Sequence, residues 1–318
     1  GDIAAVVGLK NSYTGQTLCD QDNQIVLESI DFPEPVVSFA IEPKTKSDQE
    51  KLGLALAKLS QEDPTFSIQS DTETGQTIIS GMGELHLEVK VRLLKDEYGI
   101  EVSTGQPQVA YRETIEAAFT HREILKKQTG GAGQFADMTI TVEPKERGEG
   151  YEFVNQIKGG AIPTEYIPSV DKGIQQAHKT GVLGGFPTVD FKVTLSDGSY
   201  HEVDSNTDTF RICAQRAFRE AMKNASPILL EPVMKVVVST PDDYVGDVTG
   251  ALSSKRGVIK SMNPKGKQQE IVASVPLGNM FGWINDLRSM SKGKANSVME
   301  FEKYEKVPGN LVEELVGN

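Results

Sequence analysis

The sequence predicts an α+β fold built from three globular parts. The chain has 318 residues, and at about 100–200 residues per domain this length fits two or three domains. Two segments, about 35–108 and 232–306, alternate strand-like and helix-like runs in the order β-α-β-β-α-β. The region between them, about 109–230, begins with strands and follows a different order.

The first segment contains four predicted strands and two predicted helices. The apolar residues of each helix recur every three or four positions, which places them on one face. These positions are Leu52, Ala55, Leu56 and Leu59 in the first helix, and Leu87, Val91, Leu94 and Tyr98 in the second. The predicted strands cover residues 36–41, 66–69, 76–80 and 100–103, which are rich in apolar and β-branched side chains.

The second segment repeats this order with a different sequence. Its predicted strands cover residues 235–239, 258–262, 270–275 and 297–304. One helix begins near Pro241, where proline and two acids suit a first turn. Another is marked by Met280, Ile284 and Leu287. Units of this order are ferredoxin-like, so the sequence predicts two ferredoxin-like domains.

The middle region is predicted to combine a β-hairpin with two helices. Strands at 118–126 and 135–142 flank a glycine-rich connection. Helices are predicted at 168–179 and from Phe210 onward, with a strand at 188–195 between them. Residues 196–204 form the connection that leads into the long second helix.

Charge and cysteine content limit the classes of function. The net charge of −12 argues against a general polyanion binder. Basic residues nevertheless cluster without any acid in the stretch 254–269, which is typical of a phosphate contact or of a solvated face. Cys19 and Cys213 do not form a disulfide framework, so a reducing compartment is favoured. No apolar run is long enough to span a bilayer.

Two loops carry unusual chemistry. The Gly130–Gly133 segment lacks the Walker pattern and opens no helix, so it does not predict a nucleotide site. Its glycines and the flanking glutamines suit close contact with RNA, or simply a flexible hairpin tip. His201 lies too near Asp204 and Ser205 in sequence for a hydrolase triad. It is predicted to be an exposed contact residue or a structural histidine.

The turn from Gly81 to Leu87 is the remaining candidate. It is interpreted either as a well-formed turn or as a domain–domain contact. The spacing of its His86 from other histidines and from the cysteines matches no zinc site, so no metal is predicted.

Longer motifs resemble the C-terminal half of bacterial or organellar elongation factor G, the ribosomal translocase. They are Phe32-Pro33-Glu34-Pro35-Val36, Glu42-Pro43-Lys44-Thr45, Gly81 to Leu87, Pro107 to Thr114, Lys127 to Ala136, Gly198 to Ser205, Leu230-Glu231-Pro232, and Arg288-Ser289-Met290-Ser291-Lys292-Gly293. Because the chain opens directly on an apolar run at Ile3, we expect it to be a fragment or a processed piece.

The resemblance implies a domain division. It assigns residues 1–24 to the end of β-barrel domain II, 25–106 to ferredoxin-like domain III, 107–230 to domain IV, 231–307 to ferredoxin-like domain V, and 308–318 to the start of a C-terminal helix that packs on domain IV. Domain IV would be an elongated α+β arm similar to domain 2 of ribosomal protein S5.

The resemblance also implies functional residues. The two loops of domain IV should meet at one tip that contacts the tRNA–mRNA duplex at the decoding site, through Lys127, Gln128, Thr129, Gly130, Gly131, Ala132, Gly133, Gln134, Ser199, Tyr200, His201 and Glu202. Domain V should contact 23S-type ribosomal RNA through Lys255, Arg256, Lys260, Lys265 and Lys267. The interface with the G domain and fusidic acid would include Phe32, Pro33, Glu34, Gly83, Glu84, Leu85 and His86.

The implied activity belongs to a larger assembly. The sequence has no P-loop, so no cofactor is expected in this chain, while GTP and magnesium are expected in the G domain of the intact protein. The expected partners of this monomer are both ribosomal subunits, tRNA and mRNA, with no membrane. The expected location is the cytoplasm, or the matrix or stroma of an organelle.

Other interpretations remain open. A tetracycline-type ribosomal protection protein shares these domains, and an elongation factor G paralogue specialised for ribosome recycling would have a similar sequence. Tandem ferredoxin-like domains could instead form a small-molecule regulatory module, although the two loops would then be unexplained. An enzyme that acts through His201 is the weakest alternative.

Overall fold

The chain forms two compact units in a computed structural model. The structure describes residues 1–9, 12, 14–28, 30, 32, 35–45, 48–70, 76–105, 108–127 and 133–317. The first unit combines residues 1–110 with 232–303, and the second combines 111–231 with 304–318. Each unit contains its own cluster of buried apolar side chains.

The helices and strands are numbered in chain order. The strands are β1 Val37–Pro43, β2 Ser67–Ser70, β3 Thr77–Gly81, β4 Val102–Thr104, β5 Gln108–Val109, β6 Arg112–Ile115, β7 Phe119–Lys127, β8 Gln134–Pro144, β9 Tyr151–Asn155, β10 Phe191–Ser199, β11 Pro227–Thr240, β12 Val258–Lys265, β13 Gln268–Pro276 and β14 Asn296–Lys306. The helices are α1 Gln49–Glu62, α2 Glu84–Asp96, α3 Ile167–Ala177, α4 Thr207–Asn224, α5 Val245–Ser254, α6 Trp283–Met290 and α7 Gly309–Val316.

Two sheets of the same topology build the first unit. One has the order β2-β3-β1-β4, with β5 also paired to β1, and the other has the order β12-β13-β11-β14. In both, the second and third strands form an antiparallel hairpin and the third strand pairs with the first. A helix connects the first strand to the second, and another connects the third to the fourth. The predicted ferredoxin-like order is therefore confirmed in both segments, and with it the α+β class.

The predicted helix faces form the core of the first unit. Leu52, Leu56 and Leu59 of α1 are buried, as are Leu87 and Leu94 of α2. Burial of each such side chain contributes about 1.5–3 kcal/mol before entropy costs. Apolar residues from both ferredoxin-like segments belong to one continuous cluster, so the two segments pack on each other within this unit.

The second unit is a four-stranded sheet covered by two helices. Its order is β7-β8-β10-β9, and only the β9–β10 pair among these is parallel. Helices α3 and α4 approach closely at Gly173. A Cβ added there would lie 2.4 Å from the Arg211 carbonyl oxygen, so only glycine fits at this position. Ala214, Ala217 and Ala221 of α4 are fully buried in this core. The unit also contains β6, which pairs with the first residues of β11, and α7.

The structure differs from the sequence-based expectations in several places. Strands β6 and β9 were not predicted; β9 is short, and it pairs with β10 residues about 40 positions away in the sequence. Strand β10 extends to Ser199, because a bulge between Leu195 and Asp197 restores the pairing with β8. Among the described residues before Val37 there is no strand, so no barrel is closed. A strand requires a partner for its backbone hydrogen bonds, and the described residues provide none there.

Candidate nucleic-acid interface

Two loops that are distant in sequence meet at one end of the second unit. The Phe135 N–H donates to the Asp204 carbonyl oxygen at 2.8 Å, and the Ser205 hydroxyl donates to the Phe135 carbonyl oxygen at 2.7 Å. A Cβ at Gly133 would lie 2.6 Å from the Asp204 carboxylate, so a glycine is needed for this approach. We call residues 133–135 and 199–205 the tip loops. Gln128, Thr129, Gly130, Gly131 and Ala132 lie outside the described residues.

The His201 ring is held on one side and open on the other. Its Nδ1 accepts hydrogen bonds from the backbone N–H groups of Val203 at 3.3 Å and Asp204 at 3.2 Å. A neutral ring therefore carries its proton on Nε2, which becomes a donor. The Asp204 carboxylate lies 3.5 Å from Nδ1, so a protonated ring also has an acceptor there, and the His201 side chain is 57% exposed.

The Ser205 hydroxyl takes no part in a hydrolase triad. It donates to a backbone carbonyl and accepts from the His201 N–H at 2.9 Å, and the residue is buried. The contacts of Ser205 therefore organise the loop.

A buried carboxylate anchors the start of the tip loop 199–205. Asp137 is 3% exposed and accepts two hydrogen bonds from Arg122, at 2.9 and 2.8 Å, and one from the Ser199 hydroxyl at 2.8 Å. The bonds from Arg122 hold the pKa of Asp137 below its usual range despite burial. This pair is not evident from the sequence, because its formation depends on the register between β7 and β8.

The tip loops surround a shallow cavity of about 160 Å³. It is lined by Lys126, Lys127, Gln134, Phe135, His201 and Asp204. Neither lysine forms an ion pair with any residue that the structure describes. Tyr200 and Val203 are 44% and 81% exposed, and Glu202 is exposed beside them. Ammonium, carboxamide and imidazole donors are thus gathered on one small surface, which suits phosphate and hydroxyl groups.

Two of the predicted RNA-contacting cations are already paired with acids. The Lys255 Nζ lies 3.1 Å from an Asp286 oxygen, and the Lys265 Nζ lies 2.6 Å from a Glu270 oxygen. Each acid reduces the attraction of its lysine for a phosphate. The stretch 254–269 contains no acid, but the fold places two acids beside its lysines. Asp286 lies on α6 and Glu270 lies on β13.

The other predicted cations of this segment differ in accessibility. Lys260 and Lys267 are exposed and have no ion pair within the described part of the chain. Lys260 occupies the β-bulge between Ile259 and Ser261. Arg256 is half-buried with a φ of 64° just after α5. Lys260 and Lys267 are thus the better candidates for phosphate contact.

The Gly81–Leu87 turn contributes to contacts inside the first unit. Gly83 immediately precedes α2. A Glu84 carboxylate oxygen accepts the Gly282 N–H at 3.1 Å, which links the two ferredoxin-like segments. Leu85 is 59% exposed and remains available for a partner. Phe32 is 36% exposed, while Pro33 and Glu34 lie outside the described residues.

The two ring nitrogens of His86 are used within the first unit. Nδ1 accepts the Met82 N–H at 3.1 Å, so Nε2 of the neutral ring donates to Asp63 at 2.9 Å. A Cβ at Gly81 would lie 2.7 Å from Nδ1, so a glycine is needed beside the ring. These contacts favour a structural histidine over an exposed interface residue.

Asp63→Asn should lower the free energy of unfolding of the first unit by about 2 kcal/mol, since hydrogen bonds to charged groups contribute about 1.5–3 kcal/mol. Partial burial opposes ionisation of Asp63, but bonds from Thr65, Lys90 and His86 outweigh it and keep its pKa well below the usual range. The carboxylate therefore stabilises the fold above pH ~4. This stabilisation is lost as the pH falls through the lowered pKa.

Urea unfolding at pH 7 and at pH 3 provides the measurement. The variant should lose less stability than the parent between these two pH values, because it lacks the titrating group. Asp96→Asn is the matched control, since Asp96 forms only an exposed pair with Arg92 and should change stability by less than about 0.5 kcal/mol. Equal effects of both substitutions would contradict the assigned role of Asp63.

The described residues form neither a metal site nor a membrane-spanning helix. Among the residues that the structure describes, no three His, Cys, Asp or Glu side chains are grouped as a metal ion requires. No helix in the described ranges is both long enough and apolar enough to cross a membrane.

Comparisons with known proteins identify the family. The models "Elongation Factor G, domain III", "Elongation factor G, domain IV" and "Elongation factor G C-terminus" match residues 32–106, 107–226 and 228–315. A crystal structure from Thermus thermophilus matches with a TM-score of 0.70 and 38% sequence identity, over 95% of this chain. The chain spans 45% of the length of that protein. The chain therefore belongs to the elongation factor G family of translation factors and contains the C-terminal domains of that family.

Proposed function

We propose that this chain is the ribosome-binding half of a translocase that moves tRNA and mRNA during protein synthesis. The observation that carries the proposal is the meeting of the tip loops, which gathers Lys126, Lys127, Gln134 and His201 at one end of the second unit. Such donors hold a nucleic acid by its phosphates and ribose hydroxyls without reading its sequence. A duplex of any codon and its anticodon requires contacts of this kind.

The remaining proposed contacts belong to the two ferredoxin-like segments of the first unit. Lys260 and Lys267 are proposed to approach phosphates of 23S-type ribosomal RNA, because they are exposed and free of acids within the described residues. Leu85 is proposed to face the G domain of the intact protein, which would bind GTP and magnesium and hydrolyse the nucleotide. The chain would act as a monomer in the cytoplasm, or in the matrix or stroma of an organelle.

A hybrid protein tests this proposal. This chain would be joined to the G domain and barrel of a bacterial elongation factor G, and mRNA movement would be followed in a single round on programmed ribosomes. We expect the mRNA to advance by one codon, because the tip loops supply the contacts that move with the duplex. The parent bacterial factor and the bacterial G domain with its barrel alone are the two controls.

Other outcomes would identify the alternatives. GTP turnover without mRNA movement would contradict the translocase assignment. Release of tetracycline from the ribosome under those conditions would favour a ribosomal protection protein. Splitting of the subunits would favour a recycling paralogue.

A further inference from the structure

A second charged cleft lies in the second unit, beside α3. Its volume is about 370 Å³, and it is lined by Tyr151, Lys172, Gln175, Gln176, His178 and Lys179. We call it the α3 cleft. Tyr151 pairs with Phe191 at the start of β10, whereas the tip loop 199–205 begins at Ser199, the last residue of that strand. Eight steps of about 3.3 Å separate these two positions, so the α3 cleft lies roughly 26 Å from the tip loops.

The two lysines of the α3 cleft are available to a ligand. Lys172 and Lys179 are exposed, and neither has an ion pair with a described residue. Lys172 lies within α3 and Lys179 lies two residues after its end, so their backbones are separated by roughly 10 Å at the rise of a helix. Phosphates follow one another about every 3.4 Å along the axis of B-DNA, so this spacing suits separate phosphates of one strand better than a single phosphate ion.

The two glutamines provide one donor group and one acceptor. Gln176 Oε1 accepts from Arg211 Nη1 at 3.2 Å and from Gln215 Nε2 at 2.8 Å, so both N–H groups of its amide remain as donors. Gln175 Nε2 donates to Asp171 at 2.9 Å, which leaves its Oε1 as an acceptor. Together these groups match a ribose hydroxyl, which both donates and accepts.

The aromatic side of the cleft is a group of three rings in mutual contact. Tyr151 is stacked on His178 at 5.7 Å and tilted against Phe191 at 5.1 Å, and His178 and Phe191 are 5.7 Å apart. The Tyr151 hydroxyl donates to Asp171 at 2.6 Å. The ring and hydroxyl of Tyr151 are therefore engaged within the second unit, and the contact proposed below does not use base stacking.

His178 contributes an acceptor and no charge. Its Nδ1 donates to the Thr188 carbonyl oxygen at 3.2 Å, so Nε2 of the neutral ring is an acceptor. Burial lowers the pKa of His178, which keeps the ring neutral at pH 7. The two lysines are then the cations that line the cleft.

We propose that the α3 cleft binds the sugar–phosphate backbone of RNA, with Lys172 and Lys179 at phosphates and Gln175, Gln176 and His178 at ribose hydroxyls. The choice of RNA over another polyanion rests on the proposed function. The contact itself needs neither the tip loops nor a ribosome, because its groups all belong to the second unit.

Fluorescence anisotropy with a labelled 16-base-pair RNA duplex tests the contact. The full chain and its K172Q/K179Q variant would be titrated at about 50 and 200 mM salt, a range over which phosphate contacts weaken strongly. We expect the variant to bind about tenfold more weakly, and its slope of log K against log salt to fall by about 2, or about 1 per phosphate-contacting lysine. A K172R/K179R variant should retain most of the affinity, because it keeps both charges.

Matched controls separate this site from net charge. K51Q/K223Q removes two exposed lysines that are already paired with Asp48 and Glu220, and it should leave affinity and salt slope unchanged. K126Q/K127Q removes the free lysines at the tip, and its effect should add to that of K172Q/K179Q. Circular dichroism checks that each variant is folded.

Four results would overturn the inference: no binding of the parent chain at low salt, no effect of K172Q/K179Q, an equal effect of K51Q/K223Q, or equally strong competition by polyglutamate. Displacement of the RNA by millimolar inorganic phosphate would show that the cleft binds free phosphate instead. Failure of the hybrid protein to move mRNA, combined with the expected RNA-binding data, would refute the proposed function alone.

Discussion

Glu113→Gln should lower the free energy of unfolding of the second unit by at least about 3 kcal/mol, since a hydrogen bond to a charged group contributes about 1.5–3 kcal/mol. Glu113 is 1% exposed. Its carboxylate accepts four backbone N–H groups at 2.7–3.1 Å, those of Val182, Leu183, Gly184 and Phe186. Glutamine offers one oxygen, and its NH₂ group would face donors that it cannot satisfy.

The same carboxylate explains why a glycine is required at one neighbouring position. A Cβ at Gly181 would lie 2.2 Å from the Glu113 carboxylate, closer than any van der Waals contact. The loop 181–186 thus wraps around a single buried anion, and its backbone donors depend on that anion. Loss of the charge should expose this loop before the rest of the unit unfolds.

Hydrogen exchange of peptides that contain residues 181–186 gives the local measurement, and circular dichroism in urea gives the global one. The only tryptophan of the chain, Trp283, lies in the first unit. Its fluorescence transition is therefore an internal control that should not shift. Glu116→Gln is the matched variant, because Glu116 forms only an exposed pair with Lys306 at 2.7 Å and should change stability by about 0.5 kcal/mol or less. If Glu113→Gln left the hydrogen exchange of residues 181–186 unchanged, the assigned role of the Glu113 carboxylate would be wrong.

His201→Ala should slow mRNA movement by the hybrid protein about tenfold, which corresponds to about 1.4 kcal/mol of transition-state stabilisation. GTP turnover should stay within about twofold of the parent value. The substitution removes the exposed Nε2 donor, and it also removes the Nδ1 acceptor that holds the backbone N–H groups of Val203 and Asp204. Pre-steady-state measurements of mRNA movement and of phosphate release on the same ribosomes would separate the two activities.

Two further variants distinguish contact from loop order. His201→Asn keeps an oxygen near the position of Nδ1 but lacks the Nε2 donor, so it should be as slow as alanine if the donor contacts RNA. A normal rate for His201→Asn would show that His201 only organises the loop. His121→Ala is the matched control, because His121 pairs with Glu123 at 3.0 Å on β7, six residues before its end. Equal losses of movement and GTP turnover in His201→Ala would contradict the proposal that the tip loops act in mRNA movement.

Local patterns in the sequence were sufficient to predict the ferredoxin-like segments. The helical spacing at Leu52–Leu59 indicates which face of the helix is buried, and the burial of these leucines confirms it. The apolar and β-branched run at 36–41 predicts a strand, and β1 covers Val37–Pro43. Such periodicity is a property of a few consecutive residues. The short parallel strand at Tyr151–Asn155 was missed, because its pairing with β10 involves residues about 40 positions away.

The amino-acid sequence alone therefore determined the order of helices and strands in the two ferredoxin-like segments, the buried faces of their helices and the family to which the chain belongs. The tertiary structure decided which charged groups remain free and which are used. It paired Lys255 with Asp286 and Glu113 with the loop 181–186, and it left Lys172 and Lys179 exposed. The reason is physical: periodicity acts between neighbours along the chain, whereas hydrogen bonds and ion pairs form between groups that only strand register and helix packing bring together.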